Sequence, residues 1–237
     1  MMTWNKFLRL LDKFFDAFIQ GGGYKEVLKG LGNTLLIASL GLLIGIVIGT
    51  VIATVHVMPK YKKLPRVLDK ICNVYVAFFR GTPIVVQLLL GYFVILPLLG
   101  IKGVDPLYVC VMIFGLNSGA YASEIMRAGI TSVDKGQLEA ARALGMGYWV
   151  SMVKVVLPQA IKNILPTLGN EFISLIKETS VVSFVGAMDI YKAFNKIGSE
   201  DYEYLVPYLV MAVIYIILVL GITGLLKLME RRLKQGD

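Results

Sequence analysis

Ser132 to Pro158 reads SVDKGQLEAARALGMGYWVSMVKVVLP. It carries Asp134, Lys135, Gln137, Glu139, Arg142 and Lys154, while the sequence on either side is greasy enough to lie in a membrane. This stretch therefore sits in water between hydrophobic spans. Its middle reads as a short helix. Asp134 can cap the first turn, and Gln137, three residues on, can return the bond as a capping box. Leu138, Ala140, Ala141, Ala143 and Leu144 favour helix, and Gly145 and Gly147 stop it. Small residues at 140, 141 and 143 let another surface approach closely. An ordinary loop helix packed on its own protein would have the same composition.

Composition sets the class. Of 237 residues, 57% are hydrophobic and only 17% charged, and the mean hydropathy is +0.72. These values describe an integral membrane protein rather than a soluble domain. The net charge of +8 does not point to nucleic acid, because the basic residues sit beside the apolar spans instead of forming a separate patch. Cys72 and Cys110 lie in apolar surroundings without a CxxC or histidine neighbour, and read as small buried or lipid-facing residues. His56, the single histidine, closes a hydrophobic run and reads as an interfacial side chain.

Taken in order, residues 4–20 place Phe7, Leu10, Leu11, Phe14, Phe15, Phe18 and Ile19 at helical spacing, with Lys6, Arg9, Lys13 and Asp16 around the other side. The spacing predicts an amphipathic helix, either in the lipid interface or packed sideways on the bundle. Five spans follow. Asn33 to Val57 is the first, with Gly41, Gly45 and Gly49 as a stripe for close helix contact. Pro83 to Leu99 is the second, opening on Arg80-Gly81-Thr82-Pro83. Leu107 to Ser123 is the third and leads to Glu124 and Arg127, which can pair one turn apart. Ile161 to Lys177 is the fourth, with Pro166 a possible kink. Tyr204 to Leu226 is the fifth, after an acidic loop with Asp189, Glu200, Asp201 and Glu203. Most of the 24 basic residues fall in the 58–82 and 124–162 segments and the tail from Lys227. The asymmetry places those segments inside, the N-terminus outside and the C-terminus in the cytoplasm. The expected division is an N-terminal amphipathic helix over 1–30, a transmembrane domain over 31–228 and a basic tail over 229–237.

The spacing within the opening stretch adds a resemblance. Glu139-Ala140-Ala141, three residues, Gly145, nine residues, then Val155-Val156-Leu157-Pro158 resembles the EAA loop of ABC importer permeases, with Val155 where that family usually has Ile. RGTP at Arg80, NSGAYASEIMRAGI from Asn117 and NEFISLIKETSVVSFVG from Asn170 are likewise similar to permeases for polar amino acids. The resemblance implies an all-α type I ABC importer permease fold of about five transmembrane helices. It implies that Glu139, Ala140, Ala141, Gly145, Leu157 and Pro158 couple to ABC ATPase subunits, which would hold ATP and Mg. It further implies a second permease copy or a sister permease, an extracellular solute-binding protein and an amino acid substrate.

The pathway residues are read from depth and polarity instead. About 20 Å up a helix from Pro158, Asn170 and Glu171 would lie inside the membrane, where an ionisable group needs a polar cavity or a partner. Asn117, Tyr121, Asn170, Glu171, Ser174 and Lys177 are the candidate pathway positions. An interhelical polar clamp is the alternative for them. The chain lacks G-x-x-x-x-G-K-[ST], HExxH and GxSxG, so neither a nucleotide site nor catalysis is expected on it, and no cofactor of its own. A self-sufficient ion-coupled carrier using Glu171 is the competing function; five spans without an evident inverted repeat argue against it.

Overall fold

The computed structural model describes residues 4–200 and 202–234, with side chains described up to Glu230 and Arg231. Asp201 of the expected acidic loop and the last three residues of the expected basic tail lie outside the described residues. Described residues form eleven α-helices joined by short π and 3₁₀ turns. They are α1 (Trp4–Phe15), α2 (Gly23–Val57), α3 (Lys63–Gly81), α4 (Ile84–Leu90), α5 (Leu96–Leu98), α6 (Pro106–Thr131), α7 (Lys135–Ala143), α8 (Tyr148–Ser151), α9 (Leu157–Glu178), α10 (Ile190–Glu200) and α11 (Leu205–Lys234).

Three helices are long and apolar enough to cross a membrane: α2, α6 and α11 up to Arg231. The pair α3 and α4–α5 reaches the same standard only when counted together, across a bend of 106°. The bend falls at Thr82-Pro83, both extended, because a residue before proline is excluded from the helical region. The fourth expected span is α9. Its 22 residues make it about 33 Å long, but its polar residues keep it from passing on composition. α9 runs unbroken through Pro166.

The centre of the bundle is the contact between α2 and α6. Gly41, Gly45 and Gly49 face Phe114, Ser118 and Ala122, and a Cβ on Gly45 would stand 2.5 Å from Ser118 Oγ. A Cβ on Gly49 would stand 2.7 Å from Ala122 Cβ and 2.8 Å from the Ser123 nitrogen. In return, Gly115 and Gly119 of α6 receive the Ile44 and Ile48 side chains of α2. The expected glycine stripe is thus a packing seam, with small residues on both sides. Around it, Ile37, Ala38, Cys110, Phe114, Leu175 and Ile176 form a buried core. Cys110 is fully buried and Cys72 half-buried, both as free thiols.

α1 packs on the bundle. Phe14 is buried, and Phe7, Leu10, Leu11 and Phe18 lie against Ile190, Ala193, Phe194, Ile197 and Val206, while Lys6, Arg9 and Lys13 stay exposed. Gly22, at φ 76°, separates the N-terminal helix from α2, so residues 23–30 run continuously into the first span. Gly30 lets α2 touch the backbone at Asp189. Asn33 donates to the Met188 carbonyl at 2.8 Å alongside.

Two π turns share one cause. Gly91–Ile95 precedes Leu96-Pro97, and Met152–Val156 precedes Leu157-Pro158. A proline ring collides with the carbonyl four residues back in a regular helix. A turn widened to five residues, with Leu157 N–H donating to the Met152 carbonyl, makes room and keeps the helix going. Replacing Gly45 by Val or Gly49 by Leu should wedge α2 from α6 and cost about 1–3 kcal/mol. Gly224→Val, where a Cβ meets nothing within 4 Å, is the control. Thermal unfolding in detergent should show a lower midpoint for the first two only.

Candidate coupling loop and polar pathway

The expected loop helix is α7. Asp134 caps it through Oδ1, which accepts from Gly136 N–H at 2.7 Å. The expected capping box does not close, because the Gln137 side chain accepts from Gln159 of α9 at 3.3 Å instead. The far end is a Schellman cap: Gly145 N–H donates to the Arg142 carbonyl and Met146 N–H to the Ala141 carbonyl, at 3.0 and 3.2 Å. That geometry needs a left-handed residue after the helix, and Gly145 supplies φ 83°. Glu139 and Ala140 are exposed on α7, whereas Ala141 is buried; α7 as a whole rests on the π turn at 152–156 and on α8. Leu144, at 84% exposed, projects next to the cap. Leu157 is half-buried and Pro158 exposed, and both open α9 directly after the widened turn rather than belonging to α7.

Three further contacts fasten this loop to the spans. Tyr148 hydroxyl donates to the Val57 carbonyl at the end of α2, at 3.0 Å; burial holds that phenol above its ordinary pKa. Asn163 of α9 donates to Ser132 Oγ at 2.9 Å, and Gln159 reaches Gln137. Sequence reasoning missed Tyr148, Ser132 and Asn163. The signal available was polar side chains beside the loop with no apolar reason to be there.

Along α9 the residues Asn163, Thr167, Asn170, Ser174 and Lys177 recur at steps of four and three, which places them on one face. All but Ser174 are exposed, and Ser174 is half-buried. The stripe runs about 21 Å. Glu171 lies on the neighbouring face, half-buried, with its carboxyl beside Ser118 of α6. Asn170, Ser174 and Lys177 thus share a surface with two residues sequence reasoning passed over, and Glu171 stands apart, turned toward the bundle.

Asn117 and Tyr121 part company. Asn117 is buried, and its amide donates to Gln87 Oε1 at 3.0 Å and to the Phe79 carbonyl at 3.3 Å. Gln87 in turn donates to the carbonyls of Phe79 and Thr82 at 2.8 and 2.9 Å. These bonds pin the α3–α4 bend, so Asn117 is occupied holding the Arg80-Pro83 elbow. Tyr121 is partly exposed and carries the Arg80 guanidinium over its ring at 5.4 Å. The expected pair of Glu124 and Arg127 forms, bidentate at 3.1 and 2.8 Å.

Residues 41–235 match the family described as binding-protein-dependent transport system inner membrane component. The chain belongs to that family. It is a permease component and a multi-pass membrane protein. The arginine transport system permease protein ArtQ of Bacillus subtilis (strain 168) is 41% identical over 211 residues, covering 89% of this chain and 94% of its own. The L-cystine transport system permease protein TcyL of the same organism is 34% identical over 232 residues, covering 96% and 95%. A crystal structure of an amino acid ABC transporter with histidines contains a chain 39% identical, with TM-score 0.83, covering 92% of this chain and 98% of that one. An inward-facing MetNI methionine ABC transporter matches at TM-score 0.73 with 20% identity, a likeness of fold. The all-α permease fold expected from the EAA stretch is the one found.

Among the described residues no group of three or more metal-binding side chains gathers. Asn117→Leu should leave the Gln87 carbonyl oxygen without its donor and cost about 1–3 kcal/mol. The thermal midpoint in detergent should fall accordingly, and an unchanged midpoint would free Asn117 for a pathway role.

Proposed function

We propose that this chain is the translocation subunit of an ATP-driven importer of amino acids, working by alternating access. One observation carries the reading: α7 and its C-cap present Glu139, Ala140 and Leu144 outward, on a helix capped at both ends within a loop that is bonded to α2 through Tyr148 and to α9 through Gln137. A helix built this way suits docking to another protein and passing a displacement into the spans. The relatives' names, arginine and L-cystine transport permeases, support amino acids as the substrate class.

In this reading the 132–158 loop and the C-terminus face the cytoplasm and the N-terminus faces outside, as the distribution of basic residues argues. ABC ATPase subunits dock on α7 and hold ATP and Mg, while this chain holds no cofactor of its own. An extracellular solute-binding protein delivers the amino acid at the opposite end. The polar stripe of α9 supports a second permease copy or a sister permease across it, because a lysine and two asparagines facing hydrocarbon would cost several kcal/mol. Between two such faces runs the pathway, where Asn170, Ser174 and Lys177 meet the substrate, with Glu171 at its edge. The apolar face of α11, with Ile216, Ile217 and Leu220 each more than half exposed, meets lipid. Switching requires each nucleotide state of the ATPases to favour one arrangement of the spans.

The docking claim is tested by capture of the host's ABC ATPases on purified wild type, Glu139→Lys and Gly145→Asp. Wild type should capture an ATPase and both variants should lose it; capture equal in all three removes α7 from the interface. In reconstituted vesicles uptake should follow ATP and ignore a proton gradient, and the reverse would favour the ion-coupled carrier. Asn170→Leu combined with Glu171→Gln should lower substrate-dependent uptake at least tenfold, and unchanged uptake would return those residues to a structural role.

A further inference from the structure

α3 has an inner and an outer face. Inside, Val76 is buried, and Cys72, Tyr75 and Phe79 pack with it against Ile48, Ile52 and Ala120 of α2 and α6. The Tyr75 hydroxyl donates to the Leu116 carbonyl. Outside, Leu64, Val67, Ile71, Val74 and Phe78 recur at steps of three and four, with Leu68 beside them, which makes one stripe. All six are exposed, Leu64, Ile71 and Val74 each above 60%, and no other described element covers them. Such a face in a membrane protein meets lipid or another subunit, and here its charged edge discriminates.

Lys63, Arg66 and Lys70 run along one edge of the stripe, again at steps of three and four, and Lys62 precedes them. All four are exposed. Asp69, the one acid between Lys60 and Lys70, does not serve them, because it holds Lys60 at 2.7 Å and His56 at 2.8 Å. Arg66 donates to the Tyr61 carbonyl at 3.3 Å, and among the described residues no carboxylate pairs with any of the four. Position completes the pattern. His56 stands one residue before α2 ends at Val57, so its bond to Asp69 sets the cationic row level with the end of a membrane span. From Ile71 to Phe79 the helix carries no charge, and the stripe continues about 12 Å past Lys70. Cations at a span end, with apolar surface leading away from them, match a phospholipid that sets its phosphate at the row and an acyl chain along the stripe. Lysine stems lie along such an edge while their ammonium groups stay among the headgroups. A protein partner fits less well, because the cores of protein interfaces are poor in lysine.

We propose that the outer face of α3 is a binding site for an anionic phospholipid of the leaflet on the coupling-loop side, with Lys63, Arg66 and Lys70 holding its phosphate. That this leaflet is the cytoplasmic one rests on the orientation proposed above; the cationic row and the apolar stripe do not. Asp69 and Tyr75 tie α3 to α2 and α6, so a lipid held there braces a helix on which two spans depend.

The full permease with its ATPases would be reconstituted in phosphatidylcholine vesicles doped with phosphatidylglycerol or phosphatidylcholine bearing a photoreactive acyl chain, and the crosslinks mapped by peptide mass spectrometry. At equal mole fraction phosphatidylglycerol should label residues 64–78 about fivefold more than phosphatidylcholine, or better, and the preference should shrink at high salt. Lys63→Gln, Arg66→Gln and Lys70→Gln combined should abolish the preference. Lys6→Gln, Arg9→Gln and Lys13→Gln combined, an equal loss of exposed charge on α1, should leave it intact. Equal labelling by the two lipids overturns the site, as does a preference that the α3 variant keeps. So does a face that neither lipid labels, which would mean that a protein covers it. The lipid comparison needs only wild type, so it stands even where the α3 variant folds poorly. Loading the photoreactive lipid into one leaflet tests the orientation separately. Labelling only from the leaflet away from the ATPases sinks the cytoplasmic placement and leaves the site standing. ATP-driven uptake in the same vesicles separates the site from the importer reading: uptake without a lipid preference sinks the site alone, and a preference without uptake sinks the importer alone.

Discussion

Close approach of α2 and α6 is the constraint on which the other helices depend. In lipid there is little hydrophobic drive between helices, so association rests on backbone proximity and packing. Five glycines supply it, three on α2 and two on α6, each filled by a side chain or backbone of the other helix. The seam also fixes rotation. With positions 115, 118, 119 and 122 turned into α2, α6 must present Asn117, Tyr121 and Glu124 elsewhere, toward α3 and α4. The elbow bonded by Asn117 follows from that one choice of face.

A second constraint is that polar atoms inside a bundle need partners. The chain meets it in two ways. Inside, Asn117 and Gln87 are both buried and spend their amides on backbone groups that the Thr82-Pro83 bend leaves out of helix bonding. On the outside of α9, five polar residues fall on one face, with Asn163 and Thr167 bonded near the loop end. The first pattern closes on itself and is structural. The second leaves its polar surface outward along the length of a spanning helix, and that surface asks for another subunit or for water.

The helices were largely legible from hydrophobic runs and breakers, and α7 was legible from its charge, its alanines and its glycine stop. What periodicity could not supply was partner choice. Gln137 looked like half of a capping box because three-residue spacing permits it; Gln159, 22 residues away in sequence on α9, competed and won. Asn117 and Asn170 looked alike as polar residues in apolar segments, yet one is 4% exposed and the other is on the surface. Burial depends on which face the glycine seam selects, and that is a tertiary fact. The α3 approach to the second span was missed for a similar reason, since its apolar run, Ile71 to Phe79, is too short to span and the 106° bend that joins it to α4 is a tertiary fact.

Within the EAA stretch, the conserved-looking spacing itself divides by physical cause. Ala141 is small and buried, Gly145 is glycine because the cap needs a left-handed residue, and Pro158 is why the turn before it is widened. On α7 itself the motif residues that face outward are Glu139 and Ala140. The fixed positions therefore build the helix and its seat more than they form the surface a partner would touch. The seat has consequences for transmission. Tyr148 bonds the loop to the end of α2, and Ser132 and Gln137 bond it to α9, so α7 cannot shift without carrying strain to two spans at once. One of those spans belongs to the glycine seam and the other bears the polar stripe. A displacement at α7 is thereby applied between the element that holds the bundle together and the element whose polar face looks outward, and it is their relative motion that such a push would change.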